Sequence, residues 1–381
     1  MTALWKHAAL VPRPGLPATE YRRFDFARSR YGNINALPKP ARTHMRIVVI
    51  GAGALGSLYA AYLTRGGHDV ALIARGVRAQ GLTKHGIVVT GVEEFSAFCE
   101  IVTEPERLRS ADLLILATKT YDTPSTLHSL RALKVASAYS VQNGVLKNDL
   151  IAATFGPDAA VGAISMLGAQ VLAAQGDEPG AVRYTMRGAT TVGEIAGGES
   201  SRVDRLVEML SSAGLNANAS NNIMSVEWSK FVSWSSVSAL AVLTRQPTWR
   251  FLSDPDTALI AARIMRETAA VAERLNVPLI DTRLTSAALN HRSEADAVEL
   301  IRAFGAQLQA DSPELRQSML QDADRRRRLE VEETLAYTLT LAARLALPAP
   351  TLDLCCRVLR MLSRAARCGS DAPGGAGGKA E

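Results

Sequence analysis

The sequence predicts an α/β domain built on a parallel sheet, followed by an all-α domain. Two observations lead to this prediction. A strand, a glycine-rich turn, a helix and a second strand follow one another over 45–75, and nearly every segment beyond Asn222 has helical periodicity. A chain of 381 residues is long enough for two domains of ordinary size.

The segment 45–75 has the sequence MRIVVIGAGALGSLYAAYLTRGGHDVALIAR. Its β-branched runs 47–50 and 70–73 are typical of buried strands, and 54–65 between them has the spacing of a helix. The turn 51–56 (GAGALG) matches the G-x-G-x-x-G pattern in the strand–turn–helix context that makes this motif specific. The segment therefore predicts a Rossmann dinucleotide-binding domain.

The glycine turn supplies the predicted cofactor contacts. Gly51 permits the tight turn out of the strand, Gly53 lets the backbone approach a pyrophosphate, and Gly56 lets the helix pack on the sheet. The N–H groups at the positive end of the helix would face the phosphates. We predict that the turn binds the cofactor through Gly51, Gly53, Ala54, Leu55 and Gly56. A glycine-rich turn without a ligand is the alternative.

The end of the second strand distinguishes the two common dinucleotides. A carboxylate there would accept a hydrogen bond from the ribose 2′-hydroxyl of NAD, whereas an arginine would pair with the 2′-phosphate of NADP. Arg75 occupies this position, Arg78 follows one turn later, and the next acid is Glu93. We therefore predict NADP(H) as the cofactor. A surface arginine without a ligand is the alternative.

The positive charge of the chain is concentrated at its start. The formal net charge is +6, and residues 1–44 hold eight Lys and Arg but two acids, so this segment carries the whole excess. The neutral remainder argues against a nucleic-acid surface, which needs a clustered basic footprint. No apolar run approaches the ~18 residues of a membrane span.

The two ends of the chain differ in composition from its body. Residues 1–44 contain five prolines and no apolar signal core, which suits a disordered extension or upstream sequence better than a transit peptide. The Gly- and Ala-rich segment 369–381 is expected to be a disordered tail. We place the dinucleotide-binding domain at 45–220 and the helical domain at 221–368.

The four cysteines and six histidines have no metal-binding spacing, so we predict no metal site. We interpret the cysteines as reduced thiols of a cytoplasmic protein. The sequence leaves open whether the chain is a monomer or a homodimer.

Polar residues follow two further predicted strands. The apolar run 113–117 is followed by Lys119, and the run 138–141 is followed by Gln142, Asn143 and Gly144. Ligands of an open α/β sheet bind at the carboxyl ends of its strands. We therefore expect Lys119 and Asn143 to lie where cofactor and substrate meet.

Beyond residue 159 the predicted elements no longer alternate between apolar strands and helices. An alternating, turn-rich stretch with a hairpin candidate at 176–180 is followed by a helix at 203–213. Prolines and polar stretches then delimit five helical segments, at 223–245, 256–276, 284–308, 312–346 and 350–367. Ser312 before Pro313 has the form of an N-cap with proline in the first turn.

Lysine is rare in this chain, with eight among 43 basic residues, and Lys230 is the only one between Lys147 and Lys379. Carbonyl reduction by a nicotinamide needs a proton donor beside the developing alkoxide. Burial can lower the pKa of a lysine enough for this role, which arginine cannot match. Lys230 is therefore a candidate general acid. A surface lysine retained by chance is the alternative.

A second group of polar residues lies in 317–330, QSMLQDADRRRRLE. Consecutive arginines on a helix usually form a solvated face, and we interpret Arg325, Arg326 and Arg328 in this way. Ser318 and Glu330 are twelve residues apart, which is not one face of a straight helix. Joint action of these two residues would need a bend between them.

Taken together, these motifs resemble the ketopantoate reductase (2-dehydropantoate 2-reductase) family. The resemblance covers 45–367 and depends on the family's order and spacing of motifs, namely the glycine turn, Lys119, Gln142-Asn143-Gly144, Trp228-x-Lys230, Ser318-Met-Leu-Gln-Asp and Glu330. It implies an N-terminal Rossmann domain and a helical domain like that of 6-phosphogluconate dehydrogenase, with the active site between them.

The resemblance also implies roles for individual residues. Lys230 would protonate the carbonyl oxygen, and Glu330 would bind the substrate hydroxyl and orient the lysine. Ser318 would hold the substrate carboxylate, and Asn143 and Lys119 would lie at the nicotinamide and ribose. The implied reaction is the NADPH-dependent reduction of 2-dehydropantoate to (R)-pantoate in pantothenate biosynthesis.

The chain departs from the family pattern at two positions. Family members carry asparagine four and eight residues after the catalytic lysine, where this chain has Trp234 and Ser238. A substrate hydroxyl that loses an amide partner there loses about 1 kcal/mol or more. We therefore expect Trp234 and Ser238 in the substrate site and keep two alternatives, a more apolar 2-oxo acid substrate and a non-catalytic NADP(H)-binding sensor.

Overall fold

The computed structural model describes residues 44–174, 179–282, 284 and 292–368. Several expectations lie partly or wholly outside the described residues. They are the extension 1–44 apart from its last residue, most of the hairpin candidate at 176–180, the start of the helix predicted at 284–308, and the tail 369–381.

The described chain has twelve strands, distributed over three sheets. They are β1 (Arg46–Ile50), β2 (Asp69–Ile73), β3 (Ile87–Gly91), β4 (Phe95–Ala97), β5 (Glu100–Val102), β6 (Ser110–Leu116), β7 (Lys134–Ser140), β8 (Val161–Ser165), β9 (Gly168–Val171), β10 (Val182–Met186), β11 (Ala189–Glu194) and β12 (Asn216–Ala219).

A five-stranded parallel sheet in the order β5-β2-β1-β6-β7 forms the centre of the N-terminal part. Ile47 pairs with Val70 on one side and with Leu113 on the other. The chain moves outward in opposite directions from β1, so the crevice for a ligand lies at the carboxyl ends of β1 and β6. The predicted α/β fold is confirmed.

Two smaller sheets extend this core. One has the order β4-β3-β10-β9 and the other the order β12-β11-β8. A parallel bridge between Ala138 and Ala160 joins β7 to the residue before β8. This junction brings Ser165, the last residue of β8, toward the polar ends of the large sheet.

The helices alternate with strands at first and then occupy nearly all of the remaining chain. They are α1 (Ala54–Arg65), α2 (Gly76–His85), α3 (Thr123–Ser129), α4 (Lys147–Phe155), α5 (Ser201–Ser212), α6 (Ile223–Thr244), α7 (Thr248–Ser253), α8 (Pro255–Arg274), α9 (Glu294–Asp311), α10 (Ser318–Asp324), α11 (Leu335–Arg344) and α12 (Pro350–Cys368). None of the described helices has the length and apolar character that crossing a membrane requires.

Helix α6 is the central helix of the C-terminal part. Asn222 caps its start by accepting a hydrogen bond from Ser225 N at 3.3 Å, and Arg245 ends it in the left-handed conformation two residues before Pro247. Most of its residues are buried, because α8, α10 and α12 pack around it and β8 packs against its N-terminal half. A helix that is apolar on nearly all sides is expected at the centre of a domain.

The prediction of one long helix at 312–346 is wrong. Ser312 ends α9 rather than starting a helix, and the chain becomes helical again only at Ser318. Proline disfavours the helical conformation of the residue before it, so the pair Ser312-Pro313 stops a helix here. A second interruption follows α10, where Arg326 adopts a φ of +53° and α11 begins only at Leu335.

Candidate active site

The glycine turn connects β1 to α1. A Cβ on Gly51, whose φ is +106°, would lie 2.7 Å from the backbone of Ala117, and one on Gly56 would lie 2.0 Å from the carbonyl oxygen of Gly51. At Gly53, by contrast, no atom lies within 4 Å of the position that a Cβ would take. Packing inside the protein therefore requires Gly51 and Gly56, whereas Gly53 leaves an open approach for a ligand.

The start of α1 suits an anion. Gly53 occupies the N-cap without a side-chain hydrogen bond, and the first turn, which includes Ala54 and Leu55, contains no acidic residue. The N–H groups of this turn are thus available to phosphate oxygens. These residues fit the pyrophosphate of a dinucleotide.

The two arginines after β2 have different environments. Arg75 is exposed at the N-cap of α2. Arg78 is half-buried and donates hydrogen bonds to the carbonyl oxygens of Ala52 and Pro179 and, at 3.1 Å, to Ser57 Oγ. Arg78 is thus engaged in holding the glycine turn, which leaves Arg75 as the outward-facing candidate for a 2′-phosphate.

The loops after β6 and β7 are tied to each other. Gln142 donates hydrogen bonds from Nε2 to Thr118 O and to Thr123 Oγ1, both at 2.8 Å. Asn143 follows, half-buried, and Gly144 adopts a φ of +87° with Thr334 Cγ2 3.1 Å from its hypothetical Cβ. The predicted cofactor-site residue Asn143 therefore lies in a braced loop that meets the chain just before α11.

Lys119 joins the sheet end to the helical part. Its Nζ pairs with Asp322 and lies 3.4 Å from Glu330 Oε2, while Thr120 N donates to Glu330 Oε1 at 2.9 Å. Burial by itself would lower the pKa of Lys119, but the carboxylates of Glu330 and Asp322 outweigh it and raise that pKa. Lys119 is accordingly a cation at neutral pH.

The bend after α10 separates the two functional candidates of 317–330. Ser318 is exposed as the first residue of α10, whereas Glu330 is 4% exposed and faces the end of β6. The bend that joint action of Ser318 and Glu330 would need is therefore present between them. The described hydrogen bonds of the Glu330 carboxylate go to Lys119 and Thr120, so the structure pairs Glu330 with Lys119 rather than with Lys230.

The arginine run divides into two environments. Arg325 and Arg326 are exposed, in line with a solvated face. Arg328 is half-buried, where it pairs with Glu333 at 2.9 Å and stacks its guanidinium 4.6 Å from the ring centre of Tyr121. The interpretation as a solvated face is wrong for Arg328, because the bend turns this residue back toward the end of β6.

Lys230 lies half-buried on α6, and its Nζ donates to Ser165 O at 3.0 Å. The pKa of Lys230 is lowered to about 7: burial is the largest cause, the nearby Lys147 also lowers the pKa, and Glu227 opposes both effects. An amine with this pKa can both hold and release a proton near neutrality. The sequence prediction of a lysine with a lowered pKa agrees with this geometry.

Trp234 and Ser238 follow Lys230 on α6 at one-turn intervals. Trp234 is half-buried and stacks on Phe231 with ring centres 5.9 Å apart. Ser238 is completely buried, and its Oγ has no hydrogen-bond partner among the described residues. Of the two predicted substrate-site residues, Trp234 therefore offers an accessible apolar surface, whereas Ser238 is inaccessible from solvent.

Sequence reasoning assigned no role to four residues that the structure places in this region. Asp322 and Thr120 hold Lys119 and Glu330, and a buried pair, Lys147 and Glu227, lies beside Lys230. A signal existed for the buried pair, since Lys147 closely follows Asn143 and Glu227 precedes Lys230 by one helical turn.

Comparisons with known proteins follow the same division of the chain. The family model described as "Ketopantoate reductase PanE/ApbA" matches residues 47–197, and "Ketopantoate reductase PanE/ApbA C terminal" matches 222–363. The 2-dehydropantoate 2-reductase of Pyrococcus abyssi is 32% identical over 52% of this chain and 64% of its own length. That of Archaeoglobus fulgidus is 29% identical over 75% of this chain and 87% of its own.

Solved structures share the fold. A PanE/ApbA family ketopantoate reductase from Ralstonia eutropha JMP134 aligns with a TM-score of 0.71 and 24% identity, over 84% of this chain and 99% of that one. A D-mandelate dehydrogenase in complex with NADH and anilino(oxo)acetate aligns with a TM-score of 0.71 and 22% identity over the same shares. At such identities the likeness concerns the fold.

Proposed function

This chain belongs to the ketopantoate reductase PanE/ApbA family, as its motifs predicted, and we propose that it reduces 2-dehydropantoate to (R)-pantoate with NADPH in pantothenate biosynthesis. The observation that carries the proposal is Lys230, a half-buried amine held by Ser165 O whose pKa is lowered to about 7. A general acid works best when its pKa lies near the operating pH.

The reaction needs a hydride and a proton. Bound NADPH would supply the hydride to the ketone carbon. The Lys230 ammonium donates its proton to the carbonyl oxygen as that oxygen gains negative charge, and the resulting neutral amine regains a proton from water. An ordinary lysine, with a pKa of about 10.4, would be a weaker acid by roughly three pH units. Ser165 O orients the donor by accepting one of its hydrogen bonds.

The charges around Lys119 provide the remaining polar contacts. Glu330 is fixed by Thr120 N and Lys119, so one of its oxygens can accept a hydrogen bond from the substrate hydroxyl without reorientation. Lys119 and Asn143 lie at the ends of β6 and β7, on the side expected for the ribose and nicotinamide. Ser318, which is exposed, is the proposed partner of the substrate carboxylate.

The proposed preference for NADPH depends on Arg75. This side chain is exposed beyond the end of β2, where the ribose of a bound dinucleotide would lie. An arginine at that point can pair with a 2′-phosphate by charge-assisted hydrogen bonds.

A panel of 2-oxo acids, with NADPH consumption followed by absorbance, tests the function. Wild-type protein should turn over 2-dehydropantoate, and Lys230→Met should lower kcat by about a hundredfold to ten-thousandfold while NADPH still binds. Lys134→Met, at an exposed position, is the matched control and should retain activity. Turnover by Lys230→Met at the wild-type rate would refute the mechanism, and NADPH binding without turnover of any 2-oxo acid would favour the sensor.

A second candidate substrate is a 2-oxo acid with a larger apolar group, and Trp234 is the observation that favours it. An indole accommodates an apolar group but cannot replace both hydrogen bonds of an amide. We expect Trp234→Asn to raise kcat/KM for the hydroxylated substrate relative to an aryl-substituted 2-oxo acid. If the wild-type protein already prefers 2-dehydropantoate and the variant leaves the ratio unchanged, this second candidate is wrong.

A further inference from the structure

A buried ion pair lies beside the proposed active site without belonging to any motif of the sequence. Lys147, the first residue of α4, is 4% exposed, and Glu227 on α6 is 2% exposed. Lys147 Nζ lies 3.5 Å from Glu227 Oε1. Charged groups this deeply buried carry a desolvation cost, and they are stable only when hydrogen bonds satisfy their donors and acceptors.

Lys147 uses its three donors on backbone carbonyls. Nζ donates to Ala163 O at 2.5 Å and to Ser140 O and Gln142 O at 3.2 Å each. An ammonium has three donors and no acceptor, so this environment matches its protonated form. Through Ser140 and Gln142 the ammonium fixes the end of β7, immediately before Asn143.

Glu227 binds the same strand from the other side. Its Oε1 accepts from Ala163 N at 2.8 Å, and its Oε2 accepts from Asn148 Nδ2 at 2.6 Å. The backbone of Ala163 is thus held by Lys147 at its carbonyl and by Glu227 at its N–H. Two residues further along β8 is Ser165, whose carbonyl oxygen accepts the hydrogen bond of Lys230.

We propose that the Lys147–Glu227 pair is a positioning device for the reaction, which fixes the backbone that presents Asn143 and Ser165 O and places a balanced pair of charges beside Lys230. This inference rests on the proposed catalytic role of Lys230. Neither side chain is assigned to contact substrate, so both act through the groups that they hold.

The pair also acts on Lys230 electrostatically. Lys147, from α4, lowers the pKa of Lys230, and Glu227, one turn away on α6, raises it, in addition to the larger effect of burial. Charged groups on the other elements packed against α6 engage different partners. Asp322 of α10 pairs with Lys119, Glu267 of α8 accepts from Leu352 N, Glu194 of β11 pairs with Arg202, and Arg360 of α12 pairs with Glu332.

Competitive labelling of Lys230 with a trace amine-reactive reagent over a pH series, read by peptide mass spectrometry, measures its deprotonation without any substrate. Lys147→Met removes a like charge, so we expect the midpoint to rise by about one pH unit. Glu227→Gln removes an opposite charge and should lower it. An unchanged midpoint in Lys147→Met, or shifts of the same sign in both variants, would overturn the proposal.

The double variant Lys147→Met/Glu227→Gln addresses folding, since each single variant leaves a buried charge unpaired. It should fold, keep the labelling midpoint near that of wild type, bind NADPH, and lose turnover at least about tenfold because Ser140, Gln142 and Ala163 lose their donors. Wild-type turnover in the double variant would overturn the positioning role. Because labelling needs no turnover, an inactive wild-type protein would contradict the proposed function while the midpoints still decide the role of the pair.

Discussion

Lys119 Nζ lies 3.4 Å from Glu330 Oε2, which joins the carboxyl end of β6 to the chain between α10 and α11. The two residues are 211 positions apart in sequence. Glu330 is almost fully buried and Lys119 is partly exposed, so the carboxylate depends on this cation and on Thr120 N for its stability. The first prediction follows from this dependence.

Replacement of Glu330 by glutamine should lower kcat/KM for the 2-oxo acid about tenfold to hundredfold, the effect of losing one charged hydrogen bond. NADPH affinity should change much less. Glu332→Gln is the matched control, because Glu332 pairs with Arg360 at the surface and should be near neutral. Steady-state kinetics of both variants measure this, and equal loss in the two would show that Glu330 has no special role.

The pKa of Lys230, lowered to about 7, sets the direction of the pH dependence. Reduction needs the ammonium, so its kcat/KM should be constant below about pH 7 and fall about tenfold per unit above it. Oxidation of the alcohol needs the neutral amine and should show the opposite limb. Rate profiles in both directions test this. A reduction rate that stays level to about pH 10 would contradict a titrating Lys230.

The same lowered pKa predicts a cost in folding stability. The lysine has a pKa of about 10.4 in the unfolded chain. Between about pH 7 and that value the unfolded chain therefore binds more protons than the folded protein does. The unfavourable contribution of Lys230 to the free energy of unfolding consequently becomes smaller as the pH rises. Lys230→Met should therefore be more stable than wild type at about pH 6, and the difference should shrink toward about pH 9. Denaturant unfolding at both pH values measures it, and a constant difference would contradict the expectation.

The glycine turn predicts different outcomes for two alanine substitutions. Gly53→Ala should fold normally, since nothing lies within 4 Å of the new methyl group, but should weaken dinucleotide binding. Gly56→Ala should lose about 1–3 kcal/mol of stability, because its methyl would lie 2.0 Å from Gly51 O. Thermal unfolding and NADPH titration separate the two effects. Equal destabilisation in both variants would contradict the assignment of Gly53 to the ligand.

Arg75→Ala should weaken NADPH about tenfold to hundredfold and NADH far less, since the guanidinium is proposed to contact only the 2′-phosphate. Arg205→Ala, an exposed arginine on α5, is the matched control. Binding titrations with both dinucleotides measure the ratio. If Arg75→Ala weakens the two cofactors equally, the proposed preference for NADPH is wrong.

The features that could be predicted from sequence are those determined by interactions between residues close together in the chain. The β-branched run and GAGALG turn specify a strand, a tight turn and a helix start within a dozen residues, and Lys230 stands out because lysine is otherwise replaced by arginine. The helical character beyond Asn222 follows from periodicity in the same way.

The features that were missed depend on contacts between distant segments. Nothing near Arg326 in the sequence, neither glycine nor proline, marks the left-handed bend that precedes the buried Glu330 and its contacts with Thr120 and Lys119. The pairing of Lys147 with Glu227 likewise joins residues 80 positions apart. Such long-range partners follow from the assembled fold rather than from local pattern.

The acceptor that orients the Lys230 amine is the main-chain carbonyl of Ser165, in a strand of the N-terminal part. Every residue type has that carbonyl, so a point substitution at position 165 cannot delete it, and an alignment of relatives would show no invariant side chain there. Whether a related protein keeps this acceptor depends on the path that the backbone of β8 takes past the lysine. Grafting 221–368 onto a different nucleotide-binding domain would therefore transfer the lysine but leave its partner behind.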